Sequence, residues 1–95
     1  MHRFLALICL TACTASPAPG MWGAQQRDVV VAGRSYTVWW TTQDVEVVRH
    51  GWASAGEHQA IRATMLALVP QVTGCNLLES AVTGDSGEIH GPITC

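Results

Sequence analysis

The residues best suited to chemistry are one serine in a short glycine-rich stretch and three histidines spread along the chain. Ser86 lies in the sequence Gly-Asp-Ser-Gly, and the histidines are His50, His58 and His90. A serine hydroxyl becomes a nucleophile when a neighbouring histidine takes its proton. Histidines that converge, alone or with carboxylates, can hold a transition metal. The sequence therefore raises two chemical hypotheses, a nucleophilic serine and a metal site.

The stretch around Ser86 resembles the nucleophile loop of chymotrypsin-like serine proteases, which reads Gly-Asp-Ser-Gly-Gly-Pro. Here residues 88–90 separate the stretch from the following Gly-Pro. That family also needs two β-barrels and a histidine and an aspartate from elsewhere in the chain, which is more than 95 residues can supply. We interpret the stretch as a tight turn, and we expect no catalytic residue and no enzyme.

The spacing of His50, His58 and His90 indicates surface positions for these residues rather than a metal site. The chain has no H-E-x-x-H motif and no pair of histidines four residues apart, so nothing in their spacing demands a metal. A periplasmic module that binds a metal or a small ligand through His50, His58 and His90 remains the alternative. Neither a glycine-rich phosphate loop nor an acid pair with a supporting nucleophile is evident, and we expect no cofactor.

The first twelve residues have the layout of a bacterial export signal. Arg3 precedes an apolar run at residues 4–10, and small residues follow. A permanent membrane-spanning helix needs about 20 apolar residues, so this run is too short to be one. We predict that residues 1–12 are a signal peptide that takes no part in the fold.

The residues Leu10, Thr11, Ala12 and Cys13 resemble the lipobox of bacterial lipoproteins. The resemblance implies cleavage just before Cys13, which then carries a diacylglyceryl group and usually a third acyl chain, such as palmitate. Several acyl chains together anchor a protein stably to a membrane. The alternative is cleavage after Ala15, which releases a soluble exported protein.

The resemblance also implies a location in the bacterial cell envelope, facing the periplasm. Thr14 follows the cysteine, and it is not the aspartate that resembles an inner-membrane retention signal in enteric bacteria. The outer membrane is therefore favoured over the inner one.

The charge of the chain excludes nucleic acid as a partner. Residues 13–95 carry four arginines, no lysine and seven acidic side chains, a net charge of minus three with histidines neutral. Binding to a phosphate backbone needs several clustered cations, and no such cluster is present in the sequence.

The mature chain divides into a tether and one domain. Residues 13–26 are rich in Ala, Pro, Gly and Ser, which is typical of a flexible tether. From residue 27, two β-rich runs flank Gly33 and Arg34, which predicts a hairpin with Val31 opposite Tyr36 and Val29 opposite Val38. Residues 45–50 predict a third strand whose buried face the pattern does not decide.

One helix and a second hairpin complete the predicted domain, residues 27–95. Ser54 and Glu57 form an S-x-x-E capping box, and apolar residues at helical spacing extend the helix over 55–69, where Pro70 ends it. Residues 75–82 and 88–95 predict a hairpin around a loop at 83–87. Cys75 then lies opposite Cys95, and an exported domain with two cysteines left predicts a disulfide.

Two tryptophans are candidates for partner binding. Trp39 and Trp40 are adjacent in a strand, so their side chains point to opposite faces, and the sequence does not show which one enters the core. An exposed Trp39 with Trp52 nearby would form an apolar patch of the kind that binds partners.

The sequence thus predicts an α+β fold: a small antiparallel sheet made of a β-hairpin, a third strand and a C-terminal β-hairpin, with one helix and one disulfide. The expected function is that of a small lipid-anchored cell-envelope protein with a non-enzymatic structural or binding role. Its expected partners are the membrane, through Cys13, and another envelope protein.

Overall fold

A computed structural model describes residues 23–95 of the chain. The predicted signal peptide, Cys13 and residues 13–22 of the tether lie outside the described residues. In chain order the elements are β1 (Gln25–Val31), β2 (Arg34–Trp40), β3 (Asp44–Arg49), a 3₁₀ turn (Ala55–Glu57), α1 (His58–Thr73), β4 (Asn76–Leu77), a second 3₁₀ turn (Glu79–Ala81), β5 (Thr83–Gly84) and β6 (Glu88–Thr94). Gln25 and Gln26, at the end of the predicted tether, belong to β1.

The six strands form an antiparallel sheet in the order β1-β2-β3-β6-β4, and β5 also pairs with β6. The C-terminal hairpin joins the first three strands because β6 pairs with β3, with Val47 opposite Ile89. Within residues 23–95, no helix is long and apolar enough to cross a membrane. The predicted α+β fold is confirmed.

The hairpin of β1 and β2 turns at Ala32 and Gly33, one residue earlier than predicted. Both residues have positive φ, 51° and 78°, as a two-residue turn of type I′ requires. Val29 therefore lies opposite Tyr36, and the predicted pairings of Val31 with Tyr36 and of Val29 with Val38 are wrong. The register differs by two residues, which is one full period of a strand, so every side chain keeps its predicted face.

Helix α1 covers one face of the sheet, where the main core lies. The predicted helical stripe of Ile61, Met65, Leu68 and Val69 is buried in full. The core consists of these four residues and of Tyr36, Val38, Trp40, Val45, Val47, Cys75, Ile89 and Ile93. Trp40 is therefore the tryptophan that enters this core. On the third strand, the face that carries Val45 and Val47 packs under the helix.

The helix begins near the predicted capping box and runs past its predicted end. The carboxylate of Glu57 accepts hydrogen bonds from the backbone N–H and the hydroxyl of Ser54, at 2.9 and 2.5 Å. Pro70 lies inside α1 and does not end it. The helix ends at Gly74, which has a φ of 74° and donates its N–H to the carbonyl of Pro70. A left-handed glycine is the commoner stop signal, and the proline only removes one helical hydrogen bond.

The predicted disulfide between Cys75 and Cys95 is confirmed, with Cα atoms 4.4 Å apart. The expected register holds beside it, since Asn76 lies opposite Thr94. It then fails, because residues 78–82 leave the sheet and the second 3₁₀ turn interrupts the strand. β5 resumes three residues out of that register, with Gly84 opposite Ile89, so the turn is shorter than the predicted loop at 83–87.

Two residues of β6 accommodate this bulge. Pro92 has no N–H to donate, and its carbonyl accepts a bond from the N–H of Leu78 where the bulge begins. A side chain at Gly91 would place its Cβ 2.9 Å from a methyl group of Val82. Proline is thus tolerated in this paired strand because the bulge begins opposite it, and glycine is required at 91 because Val82 of the bulge approaches the backbone closely.

Candidate functional site

The turn between β5 and β6 brings Ser86 to the start of α1. Ser86 is 8% exposed, and its Oγ atom lies 2.5 Å from Nδ1 of His58, the first residue of the helix. Twenty-eight residues separate the two in sequence, so the contact exists only because the C-terminal hairpin packs beside the helix. A serine hydroxyl and an imidazole at this distance are a nucleophile and a base within hydrogen-bonding reach.

The backbone around Ser86 is fixed by hydrogen bonds. Arg49 on β3 donates from Nε to the carbonyl of Ser86 at 2.8 Å, and its backbone N–H donates to the carbonyl of Gly87 at 2.9 Å. The side chain of Asp85 accepts the Gly87 N–H at 2.8 Å, and this bond is the main reason that the pKa of Asp85 is lowered. The Gly-Asp-Ser-Gly stretch is therefore a tight turn, as predicted, held rigidly against β3.

The position of His58 follows from the capping box that precedes it. The carboxylate of Glu57 binds Ser54 and also the guanidinium of Arg34, at 3.2 Å. The hydrogen bonds from Ser54 and then from Arg34 lower the pKa of Glu57 to about 2. The first turn of the helix is thus tied to β2, and His58 projects from a fixed point.

An open cleft lies beside the Ser86–His58 pair. It has a volume of about 470 Å³ and is lined by His58, Gln59, Arg62, Gly84, Asp85 and Ser86. Arg62 lies one helical turn after His58, so both side chains line the same cleft. A small molecule in the cleft would meet a hydroxyl, an imidazole and a guanidinium.

A second polar chain lies on the sheet face opposite the helix. Thr37, which is 4% exposed, donates its hydroxyl proton to Asp28 at 2.7 Å, and its oxygen lies 2.6 Å from Nε2 of His50. Asp28 is directly opposite Thr37 in the register of β1 and β2. The buried hydroxyl is satisfied on both sides, so this chain is a complete structural link from β1 through β2 to the residue that follows β3.

A pair of carboxyl groups lies on the same face. Glu46 on β3 is 5% exposed, and it is hydrogen-bonded to Glu88 on β6. This bond, burial and the charge of Glu46 raise the pKa of Glu88 to about 7, against a smaller opposing effect of His90. The sequence pattern did not reveal this pair, because it depends on the register that places Glu46 opposite His90 and next to Glu88.

The structure does not gather the three candidate histidines. His58 contacts Ser86, His50 contacts Thr37, and His90 lies opposite Glu46 in the sheet. Across the part of the chain that the structure describes, no group of three or more His, Cys, Asp or Glu side chains could hold a metal ion. The metal hypothesis therefore receives no support from the geometry.

The two candidate tryptophans differ in exposure. Trp39 is 4% exposed on the face opposite α1, while Trp52 is 81% exposed in the loop before the helix. Trp52 lines a shallow cleft with Arg34, Ser35 and His50. Trp39 offers almost no surface to a partner, so the predicted patch of two tryptophans reduces to Trp52.

Residue type alone identifies Ser86 and His58 as candidates, but the sequence does not show that the two side chains are in contact. The signal that would have found it is tertiary: pairing of β6 with β3 carries the turn at residue 86 towards the end of β3 and the helix start. The link between Asp28 and Thr37 would have followed from the correct turn at Ala32 and Gly33. Comparison of the chain with protein-family models, curated proteins and solved structures finds no match.

Proposed function

We propose that the protein is a small lipid-anchored protein of the bacterial cell envelope with a structural or binding role. The observation that carries the proposal is the sequence Leu10-Thr11-Ala12-Cys13 directly after an apolar export segment. Acyl chains on Cys13 would hold the domain at the membrane surface through the short tether.

The disulfide supports an exported location. Cys75 and Cys95 are bonded, and structural disulfides persist mainly in compartments outside the cytosol. A domain of this size has a small core, so a covalent closure adds a large share of its stability. The bond is therefore useful only where it stays oxidised, as in the periplasm.

The binding role is supported by Trp52. A fully packed small domain needs its aromatic residues inside, and Tyr36, Trp39 and Trp40 are all at most 9% exposed. Trp52 departs from this pattern at 81% exposed. Exposed tryptophans are enriched among the residues that dominate binding to other proteins, so Trp52 is the proposed contact with another envelope protein.

Lipid labelling tests the anchor. Expression of the full chain in a Gram-negative host with radiolabelled palmitate should label the wild type, and membranes should retain it. The variant Cys13→Ser should carry no label, while Cys9→Ser serves as the matched control and should remain labelled. Equal labelling of wild type and Cys13→Ser would refute the anchor.

Site-specific crosslinking tests the binding role. A photo-crosslinking amino acid at position 52 should give one discrete adduct with an envelope protein in intact cells. The same amino acid at position 78 is the control, since Leu78 is also exposed, at 55%. Identical adducts at both positions, or none at 52, would count against Trp52 as the contact.

A further inference from the structure

We infer that Ser86 is a reactive nucleophile, activated by His58, that forms an acyl intermediate with small carboxylic esters. The inference rests on the Ser86–His58 pair and on the cleft beside it. It goes beyond the proposed envelope role, which needs neither residue. The Gly-Asp-Ser-Gly stretch forms a tight turn as predicted, but the inference gives its serine a chemical role that was not expected from the sequence.

The contact allows the hydrogen-bond direction that nucleophilic attack requires. The Ser86 hydroxyl is 2.5 Å from Nδ1 of His58, and in the imidazole tautomer that carries its proton on Nε2, Nδ1 accepts the serine proton. Transfer of that proton to Nδ1 leaves a serine oxygen with nucleophilic character. His58 itself is exposed at the helix start, so a proton on it can pass to a leaving group.

The serine is held in place before any ligand binds. Arg49 fixes the carbonyls of both Ser86 and Gly87, and Asp85 fixes the N–H of Gly87. The nucleophile therefore loses little conformational freedom on reaction. A serine with only a structural role in the turn would not require an adjoining cleft.

Arg62 brings a positive charge to the cleft, which the carboxylate of Asp85 also lines. It lines the cleft with His58 and Ser86, and it forms no salt bridge with any residue between 23 and 95. Its guanidinium can stabilise the oxyanion that develops on a carbonyl under attack, or a carboxylate elsewhere in the ester. The substrate class is therefore a small ester with an anionic acyl group.

The Ser86 oxygen attacks the carbonyl carbon and its proton goes to Nδ1 of His58. The bond from the carbonyl carbon to the alcohol oxygen breaks, and the alcohol leaves with the proton from His58. The acyl group stays on Ser86 until water gives a proton to His58 and its oxygen attacks the same carbon. The bond from that carbon to the Ser86 oxygen then breaks, the Ser86 oxygen takes the proton from His58, and the acid leaves.

A catalytic triad consists of a serine, a histidine and a carboxylate, and the Ser86–His58 pair lacks the carboxylate. Among the described hydrogen bonds, His58 makes its side-chain contact with Ser86 alone, and no carboxylate orients the ring. Loss of that third member costs a triad a large part of its rate. We therefore expect acylation to be detectable and turnover to be slow, so that acyl-Ser86 accumulates.

The test uses the full chain, purified from membranes in detergent, with two probes. A fluorophosphonate should form an oxygen–phosphorus bond to Ser86 with loss of fluoride, and peptide mass spectrometry should place the adduct on that residue. p-Nitrophenyl succinate should give a burst of nitrophenol and a succinyl adduct on Ser86. p-Nitrophenyl acetate should react more slowly, because it lacks a carboxylate for Arg62.

Variants separate the nucleophile from a structural serine. Ser86→Ala should abolish both adducts, whereas Ser80→Ala, at an exposed serine of the second 3₁₀ turn, should leave them unchanged. His58→Gln should slow labelling about 100-fold, the usual effect of losing a general base. Arg62→Gln should remove the preference for succinate over acetate while acetate still reacts.

The thermal unfolding midpoint of each variant shows whether that variant is folded, so that a loss of labelling is not mistaken for a loss of structure. Wild-type protein that is folded and is not labelled at Ser86 overturns the inference, and so does equal labelling of Ser80 and Ser86. A wild type that is labelled at a rate unchanged by His58→Gln also overturns it, because the base would then have no role.

Discussion

The carboxyl group of Glu88 on β6 is hydrogen-bonded to that of Glu46 on the adjacent strand β3. One proton shared between the two groups, together with burial, raises the pKa of Glu88 from 4.5 to about 7. The charge of His90 opposes this rise and that of Asp85 adds to it. The folded protein therefore holds a proton that the unfolded chain releases near its ordinary pKa. The free energy of unfolding should fall as pH rises across this interval, from 4.5 to about 7.

Glu88→Gln tests this pH dependence, since an amide donates to Glu46 and does not ionise. We expect the variant to lose much of the decrease in stability over that interval and to be more stable than the wild type at alkaline pH. Urea unfolding at a series of pH values measures both effects. The control Glu79→Gln, at an exposed glutamate, should keep the wild-type slope. A Glu88→Gln slope equal to that of the wild type would argue against the shared proton.

Ala32 occupies a backbone conformation that alanine disfavours. Its φ is 51° in the turn before Gly33, and a left-handed conformation costs a non-glycine residue roughly 1–2 kcal/mol. Asparagine adopts it more readily and is preferred at this turn position. Ala32→Asn should therefore raise the free energy of unfolding by roughly 0.5–1 kcal/mol, and Ala32→Val should lower it. Destabilisation by asparagine, seen in urea unfolding, would contradict the turn at Ala32 and Gly33.

The disulfide should contribute a measurable part of the stability. Cys75 and Cys95 are 20 residues apart, and closing a loop of that size is worth about 3 kcal/mol in the chain-entropy model. Reduction of the wild type should lower the free energy of unfolding by about 2–4 kcal/mol. Cys95→Ser should lower it equally and then be insensitive to reductant. A wild type that unfolds at the same urea concentration with and without reductant would disprove this contribution.

Met65 should be among the residues most sensitive to truncation. Its side chain is fully buried, at 0% exposure, between α1 and the sheet. Met65→Ala should cost about 2–5 kcal/mol, since the cavity it leaves is only partly filled by relaxation. Leu78→Ala is the control at a side chain 55% exposed, and it should cost less than about 1 kcal/mol. Equal losses in the two variants would place the core elsewhere.

The elements with local signals were predictable from the sequence. The capping box at Ser54 and Glu57 specifies the helix start through two residues that are three positions apart, and the alternating strand pattern specifies which side chains share a face. The disulfide was predictable because its register needs only the open end of the hairpin. The capping box depends on residues that are close in sequence, and the strand faces depend on a period that a shift of two leaves unchanged.

The errors arose where two local signals compete. Glycine is compatible with either central position of a two-residue turn. The pairing of β1 with β2 places Gly33 at the second position, after Ala32. Pro70 by itself indicates a helix end, yet the helix continues to Thr73. Val72, in this last part of the helix, packs against the core. The bulge at residues 78–82 depends on what β6 can pair with, which no local pattern shows.

The contacts of the candidate site needed the tertiary structure. Ser86 and His58, like Glu46 and Glu88, belong to elements that meet only because β6 inserts beside β3. Residue type identified Ser86 and His58 as candidates separately. Their distance of 2.5 Å follows from strand order, which the sequence left open.

We propose that an exported, lipid-anchored chain carries a disulfide-closed domain. The intact mass of the full chain, recovered from membranes of a Gram-negative host before and after reduction and thiol alkylation, tests both parts of this proposal. We expect a chain that begins at Cys13 with added acyl mass and takes up two alkyl groups only after reduction. A chain that begins after Ala15 without acyl mass, or one that is alkylated at Cys75 and Cys95 without reduction, would contradict it.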